Sequence, residues 1–250
     1  NYYYGGQYFA VFLTKLSHTK VELTYNLMRT FVAGLAFAMP FSLVYQMMSD
    51  RMKGLQKSEK VIKGLPFAAG FTAGTAVSIA GNMHYVIYAQ IIPLIEKLTG
   101  KEVSSYWFPD ATRYIGYNPY REEDRTIHEF PCYSFVLGDL HAHVVNIMFV
   151  LLVIAFLYVW LRGVRKKTVP VETSMKDGKF WKEQLLMPHL LVISALLGMF
   201  QWTNFWDFVI YYVVTLGTVL FANIIRFQGK IKKIIVVTFA QMAEIYLLAY

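Results

Sequence analysis

An acid and two histidines occur within five consecutive residues, at Asp139, His141 and His143. Carboxylate oxygens and imidazole nitrogens are ligands that zinc and similar divalent ions prefer. In an extended chain all three side chains would share one face, whereas in a helix only Asp139 and His143 would, at i and i+4. The segment predicts a divalent metal site, and a polar helix start is the alternative.

A second acid, Glu129, lies in the segment Ile127-His128-Glu129-Phe130-Pro131. Its apolar neighbours could desolvate the carboxylate, which is one way in which a side chain becomes a general acid or base. An ordinary ion pair with Arg113 or Arg125 is the alternative.

A third group of polar and aromatic residues is the short segment that contains Trp202, Asn204, Trp206 and Asp207. Indole rings pack well against the apolar faces of sugars, and they also anchor proteins at membrane interfaces. An acid at the membrane boundary between aromatic residues could hold a sugar or a cation linked to a phosphate. We expect this segment to bind part of a substrate.

The composition narrows the class of protein that positions these groups. Of the 250 residues, 56% are hydrophobic and 16% are charged, and the mean hydropathy is +0.39. Soluble domains carry about 25% charged residues. A soluble enzyme, a disordered chain and a disulfide scaffold are therefore excluded, the last because Cys132 has no second cysteine to pair with.

Long apolar segments predict an all-α, polytopic bundle of transmembrane helices. Runs of roughly 20 apolar residues span the hydrocarbon core as helices. Five to six segments qualify, and an apolar segment at 7–17, which is too short to span, predicts an interfacial helix. The predicted spans are 23–49, 65–92, 144–162, 184–202, 207–225 and 232–250.

Basic residues orient these spans. Sixteen of the 24 lysines and arginines lie in the connections 51–63, 162–182 and 226–233, which are predicted to be cytoplasmic because short basic loops stay inside. Residues 1–22 and 93–143 are then outside. The sequence thus predicts a multi-pass protein of the cell membrane, and the net charge of +8 comes from its cytoplasmic loops. This charge is expected to contact membrane lipid and does not indicate nucleic-acid binding.

Further polar residues are expected at the outer level of the spans. Arg29 lies near the start of the first span, where it either snorkels to the interface or contacts a lipid phosphate. Asn82 and His84 close the second span. The predicted substrate-binding set is Arg29, Asn82, His84, Arg113, Trp202, Asn204 and Trp206.

Four segments carry a family resemblance: Tyr2-Tyr3-Tyr4-Gly5-Gly6-Gln7-Tyr8, Gly81-Asn82, Glu129-Phe130-Pro131 with Gly138-Asp139-Leu140-His141-Ala142-His143, and Thr203-Asn204-Phe205-Trp206-Asp207. They resemble the YYY membrane protein family of archaea and bacteria, which is grouped with the GT-C superfamily of glycosyltransferases. Those enzymes place a catalytic acid in their first outer loop. That loop would precede Tyr2, so the chain is expected to be one membrane domain and a fragment of a longer protein.

The resemblance implies a GT-C-like fold and a transferase that moves a sugar from a polyprenyl-phosphate donor at the outer face. Asp139, Glu129 and Asp207 are the predicted catalytic acids, and Asp139, His141 and His143 the predicted ligands of a divalent metal ion. A membrane transporter and a metal-dependent membrane hydrolase are the alternatives.

Overall fold

A computed structural model of the chain describes residues 3–53, 55, 59–113, 117, 120–123, 125–166 and 174–250. Tyr2 of the tyrosine run and parts of the loops 51–63 and 162–182 lie outside this range. The described residues form ten α-helices, a π-helical turn and a 3₁₀ turn, and they contain no sheet. The helices are α1 (Gly5–Ser17), α2 (Val21–Met52), α3 (Glu59–Ser78), α4 (Ile92–Leu98), α5 (Pro131–Leu137), α6 (Ala142–Lys166), α7 (Gly178–Leu185), α8 (Pro188–Thr203), α9 (Phe205–Phe227) and α10 (Ile231–Ala249).

The predicted all-α membrane architecture is confirmed. Three helices, α2, α6 and α9, are long and apolar enough to cross a membrane. The pair α7 and α8 provides a fourth candidate span if its two helices, which meet at a 50° bend, count as one. Pro188 at the start of α8 fits this bend because proline is tolerated in the first turn of a helix but not in its interior.

The other two predicted spans correspond to shorter apolar helices. α10 covers most of 232–250, but it carries Lys232, Lys233 and Glu244. The segment 65–92 is not one continuous α-helix in the structure. α3 ends at Ser78, Met83 adopts a left-handed conformation with φ of 64°, and a π-helical turn follows at Val86–Ile91.

The chain divides into two compact units, of which unit 1 comprises residues 1–35 and 140–250. Its core is formed by the facing sides of α6, α8, α9 and α10. α8 is the central element, because four of its apolar side chains are fully buried, namely Leu190, Ile193, Leu197 and Phe200. Gly198 lets the end of α10 approach, since a Cβ there would lie 2.7 Å from the carbonyl oxygen of Ala249.

Unit 2 comprises residues 36–139. α3 packs on the second half of α2 through two glycines four residues apart. A Cβ on Gly70 would lie 2.8 Å from the carbonyl oxygen of Phe41, and one on Gly74 would lie 2.9 Å from the ring of Phe37. Small residues at this spacing let membrane helices pack with their backbones close together.

Candidate functional site

The turn between α8 and α9 places an acid at the start of a helix. Asn204 is the single residue between the two helices, and its extended backbone (φ −165°, ψ 102°) turns the chain. Asp207 follows in the first turn of α9, and its backbone N–H donates to the Asn204 carbonyl oxygen over 3.0 Å. A negative charge in the first turn of a helix is stabilised by the helix dipole.

Two amide side chains hold the carboxylate of Asp207. Asn146 Nδ2 donates to Asp207 Oδ2 over 2.5 Å, and Asn204 Nδ2 donates to the same oxygen over 3.0 Å. Within the described part of the chain, both side-chain hydrogen bonds to this carboxylate therefore go to Oδ2.

Asn146 is itself held in place. The hydroxyl of Thr203 donates to Asn146 Oδ1 over 2.8 Å, and the Asn146 and Thr203 side chains are buried. The amide of Asn146 thus links the last residue of α8 to the first turn of α9 through α6. We call Asn146, Thr203, Asn204 and Asp207 the acidic network.

Two tryptophans lie beside this network on the surface of unit 1. The exposed fraction is 70% for Trp202 and 67% for Trp206, although both are large apolar residues. Exposed indoles at a helix turn can anchor the protein at the membrane interface or stack on a sugar ring. The structure thus places Trp202, Asn204, Trp206 and Asp207, all predicted site residues, on one short turn.

The start of α1 packs against the acidic network. A Cβ on Gly5 would lie 2.8 Å from Thr203 Cγ2, and one on Gly6 would lie 2.8 Å from Val145 Cγ1. Gln7 Nε2 donates to the carbonyl oxygen of Leu140 over 3.0 Å. The structure therefore brings together three segments that are far apart in the sequence, residues 5–7, 140–146 and 203–207.

The two predicted metal-ligating histidines form a pair at the start of α6. His141 directly precedes the helix, where its carbonyl oxygen accepts the N–H groups of Val144 and Val145, and His143 lies in the first turn. Their half-buried rings have centroids 5.7 Å apart and an interplanar angle of 32°. Two imidazoles at this separation could share one divalent ion.

Asp139, the third predicted ligand, closes α5 instead of belonging to α6. Gly138 has a positive φ of 76°, and the N–H groups of Gly138 and Asp139 both donate to the Ser134 carbonyl oxygen. This left-handed glycine is a common helix ending. The Asp139 side chain is exposed. Neither the extended nor the helical arrangement considered for the segment holds, because only His143 is in a helix.

Four other predicted site residues belong to unit 2. Asn82 Nδ2 donates to the Ala111 carbonyl oxygen, and His84 stacks on Tyr88 with ring centroids 4.4 Å apart. The guanidinium of Arg113 lies 4.2 Å from the centre of the Trp107 ring. Glu129 is half-buried.

An apolar pocket of about 530 Å³ lies within unit 2. Its volume is in the range of small-molecule sites, which run from roughly 300 to 1,000 Å³. Burial raises the pKa of the Cys132 thiol, which lines the pocket and therefore stays protonated. The pocket is lined by Gly81, Asn82, Met83, Phe108, Phe130 and Cys132, among others.

Arg29 lies in α2, and its Nη1 donates to Asn26 Oδ1 over 3.1 Å. Its Nε is buried without a hydrogen-bond partner among the described residues. This arginine thus has donor capacity left, as a contact to a lipid phosphate would require.

The sequence profile of an uncharacterized membrane protein family, DUF2298, matches residues 1–249. The chain belongs to this family. No curated protein and no solved structure matches the chain. Membership in DUF2298 agrees with the membrane architecture, and because the family is uncharacterized it assigns no activity.

Asn146 is a site residue of this DUF2298 member that the sequence pattern does not single out. It lies within the predicted apolar span 144–162. An amide among Val144, Val145, Ile147 and Met148 is nevertheless a signal, because a polar side chain at membrane depth needs a partner. The sequence alone does not show that this partner is Asp207, since 61 residues separate the two.

Proposed function

We propose that this DUF2298 member is a GT-C-like membrane glycosyltransferase, akin to the YYY membrane proteins. It transfers a sugar from a polyprenyl-phosphate donor to an acceptor at the outer face. The observation that carries the proposal is the Asp207 carboxylate, which two amides fix at a turn that also carries two exposed tryptophans. A fixed carboxylate beside aromatic surface suits the binding of a hydroxyl-rich ring.

Asp207 acts as the general base in this proposal. It accepts the proton of the acceptor hydroxyl while the acceptor oxygen bonds to the anomeric carbon of the donor sugar. The bond from that carbon to the phosphate oxygen breaks, and polyprenyl phosphate leaves with the electron pair. Asn146 and Asn204 position the carboxylate. The sugar is held by the hydrogen-bonding groups that remain on the Asn204 amide and by the rings of Trp202 and Trp206.

The pocket of unit 2 suits part of a hydrocarbon chain. Its lining is mainly aliphatic and aromatic, and the described residues that line it include no charged side chain. Asn82, a predicted substrate-binding residue, contributes one of its few polar groups. The pocket thus supports a donor with a long apolar portion.

The proposed topology has six spans, in which α2, α3, α6, α8, α9 and α10 cross the membrane and α7 lies at the cytoplasmic interface. The basic connections lie in the cytoplasm, and the α8–α9 turn faces outward. Asp207 and Arg226 at opposite ends of α9 support a transmembrane orientation of that helix, because each charge then lies at an interface.

A divalent metal ion at His141 and His143 is part of the proposal. It would neutralise charge on the departing phosphate. The fit rests on the two adjacent, half-buried imidazoles. Asp139, two residues before His141, stays the predicted third ligand.

The test uses the full-length protein in proteoliposomes with polyprenyl-phosphate mannose, glucose or galactose, radiolabelled in the sugar. Release of unlabelled polyprenyl phosphate together with labelled product measures transfer. Asp207→Asn keeps the shape of the side chain but removes the base, so we expect transfer to fall by roughly 10²-fold.

The matched control is Glu183→Gln, which neutralises an exposed acid on α7 and is expected to change transfer by less than about twofold. Thermal unfolding of each variant shows whether the fold is intact. Full transfer by a folded Asp207→Asn variant would contradict the role of Asp207. Absence of transfer from all three donors by the wild-type protein would contradict the proposed activity.

The histidine pair favours a second candidate, a metal-dependent membrane hydrolase. The two candidates differ in product, since a hydrolase releases free sugar or phosphate without an acceptor. Metal analysis of the purified protein, with His141→Ala/His143→Ala as the comparison, tests the metal itself. Equal metal content in both proteins would remove this candidate.

A further inference from the structure

The last turn of α9 presents a cation that is held by neutral groups. Arg226 Nη1 donates to Asn223 Oδ1 over 3.1 Å, and Nη2 donates to the side-chain oxygen of Gln184 over 2.5 Å. The charge pattern of the sequence predicts that Arg226 lies in a basic loop at 226–233. The structure instead places it within α9 and starts α10 at Ile231, so the connection is only 228–230.

The groups that hold Arg226 are fixed by further hydrogen bonds. Asn223 Nδ2 donates to Thr238 Oγ1 and to Gln241 Oε1, and Gln241 Nε2 donates to the backbone carbonyl oxygen of Gln184. Asn223, Gln184 and Gln241 are all buried. The guanidinium is thus oriented by a buried frame from α7, α9 and α10. We call Gln184, Asn223, Arg226, Thr238 and Gln241 the basic network.

The basic network contains no acid. Among the described residues, Arg226 forms no ion pair, and both of its hydrogen-bond acceptors are amide oxygens. A guanidinium has five N–H donors, so its other donors stay available. Arg226 is also only partly buried, which leaves it accessible to a ligand. A half-buried cation without a counter-charge is costly to maintain for packing alone.

Further positive charge surrounds this position. Lys233 Nζ lies 5.4 Å from the centre of the Phe180 ring, and the rings of Phe180 and Phe227 lie 6.3 Å apart. The guanidinium of Arg226 lies 5.3 Å from the Phe227 ring. Lys233 and Arg226 therefore flank the same aromatic pair, on two different helices.

Helix α7 has the pattern of a helix that lies in a membrane interface. It buries Phe180 and Gln184 and exposes Lys179 and Lys182. Amphipathic helices with lysines on the polar face lie at the level of the lipid headgroups. Basic pockets between helices at that level bind anionic headgroups.

We propose that Arg226, with Lys233, binds a phosphate group, and that this phosphate belongs to an anionic phospholipid. Guanidinium groups bind phosphate oxygens through paired hydrogen bonds. The buried amides hold the Arg226 guanidinium in position before the ligand binds. The site is independent of the proposed transferase activity, because it uses none of the residues placed in that reaction.

Protection from chemical modification tests the site in the wild-type protein. The full-length chain in neutral detergent is treated with phenylglyoxal, and peptide mass spectrometry follows the modification of each arginine. Arg165, an exposed arginine at the end of α6, is the internal control. We expect phosphatidylglycerol to slow modification of Arg226 by roughly tenfold relative to Arg165, and phosphatidylcholine to leave both rates unchanged.

Inorganic phosphate in place of the lipid separates the two sources of the ligand. Protection by phosphatidylglycerol alone supports a lipid site. Equal protection by inorganic phosphate would overturn the lipid assignment and leave a site for free phosphate. Modification of Arg226 that neither ligand slows more than that of Arg165 would overturn the site.

Variants give a second measurement by native mass spectrometry of bound lipid. Arg226→Gln is expected to weaken phosphatidylglycerol binding by roughly tenfold, Arg226→Lys by less, and Arg165→Gln by under about twofold. A folded Arg226→Gln variant that binds the lipid as wild type does would contradict the proposal. If this variant does not fold, the protection experiment still decides.

Discussion

The two ends of α9 carry opposite charges, and amides support both. At the first turn, Asp207 accepts hydrogen bonds from Asn146 and Asn204, whereas at the last turn Arg226 donates to Asn223 and Gln184. The helix dipole favours each charge at its own end. The protein thus keeps the charges of Asp207 and Arg226 at opposite ends of a membrane helix, where amides support them and they do not pair with each other.

The two networks differ in how deeply their supporting groups are buried. In the basic network Asn223, Gln184 and Gln241 are all buried, and they come from three helices. In the acidic network Asn146 and Thr203 are buried, but Asn204 is only half-buried on the turn. The basic network therefore contributes more to stability, and the acidic network is more open to a substrate.

The largest expected effect follows from Asn223→Leu. This change removes one hydrogen bond from each of Arg226, Thr238 and Gln241 in a buried frame, so we expect the free energy of unfolding to fall by about 3 kcal/mol. Unfolding by sodium dodecyl sulfate in mixed micelles measures it. If Asn223→Leu lost less free energy of unfolding than Asn146→Leu, the acidic network would contribute more to stability than the basic network.

The packing of α1 on the acidic network gives the next effect. Gly6→Ala would bring a methyl group within 2.8 Å of Val145 Cγ1, and we expect a loss of about 2 kcal/mol from the resulting repacking. Gly217→Ala on α9 is the control, because nothing lies within 4 Å of its added Cβ. The same unfolding experiment should show no loss for Gly217→Ala, and equal losses would argue against tight packing at Gly6.

A smaller effect is expected from Asn146→Leu. It removes the group between Thr203 and Asp207, but Asn204 still donates to the carboxylate. We expect a loss of about 1 kcal/mol in the free energy of unfolding. Since the base is also less well positioned, transfer should fall while the fold is kept. Unchanged transfer would show that Asn146 serves the fold alone.

The smallest expected quantity is the coupling between the two networks. Combining Asn146→Leu with Asn223→Leu should give the sum of the single losses to within about 0.5 kcal/mol, because the sites are far apart and share no partner. A double-mutant cycle of unfolding free energies measures this. A larger coupling energy would mean that α9 transmits a change from one end to the other.

The long helices were predictable because their apolar runs are uninterrupted. The span 144–162 lies within α6, and 207–225 lies within α9. The break after Ser78 was not predicted, since small and aromatic residues continue across it. The left-handed Met83 there depends on packing, which no local pattern encodes.

The candidate site was predictable only in part. Asn204 and Asp207 were predictable because they lie close together in the sequence, in a short segment with two tryptophans. Asn146 of the site was not predictable, and neither were Gln184 and Gln241 of the basic network, since their partners lie far away in the sequence and come together only when the helices pack. The sequence predicts Arg226 in a basic cytoplasmic loop because the sequence shows its charge. The hydrogen bonds that hold it within α9 appear only in the structure.

The length of α9 has a consequence for the membrane that the protein can occupy. Asp207 and Arg226 are 19 residues apart on this helix, and at 1.5 Å per residue they are separated by roughly 28 Å along its axis. That is close to the hydrocarbon thickness of a typical bilayer, about 30 Å. Sliding the helix by one turn would draw one charge into the lipid. With α9 spanning the membrane as proposed, we expect this pair of charges to make the protein sensitive to hydrophobic mismatch and to favour bilayers of about this thickness.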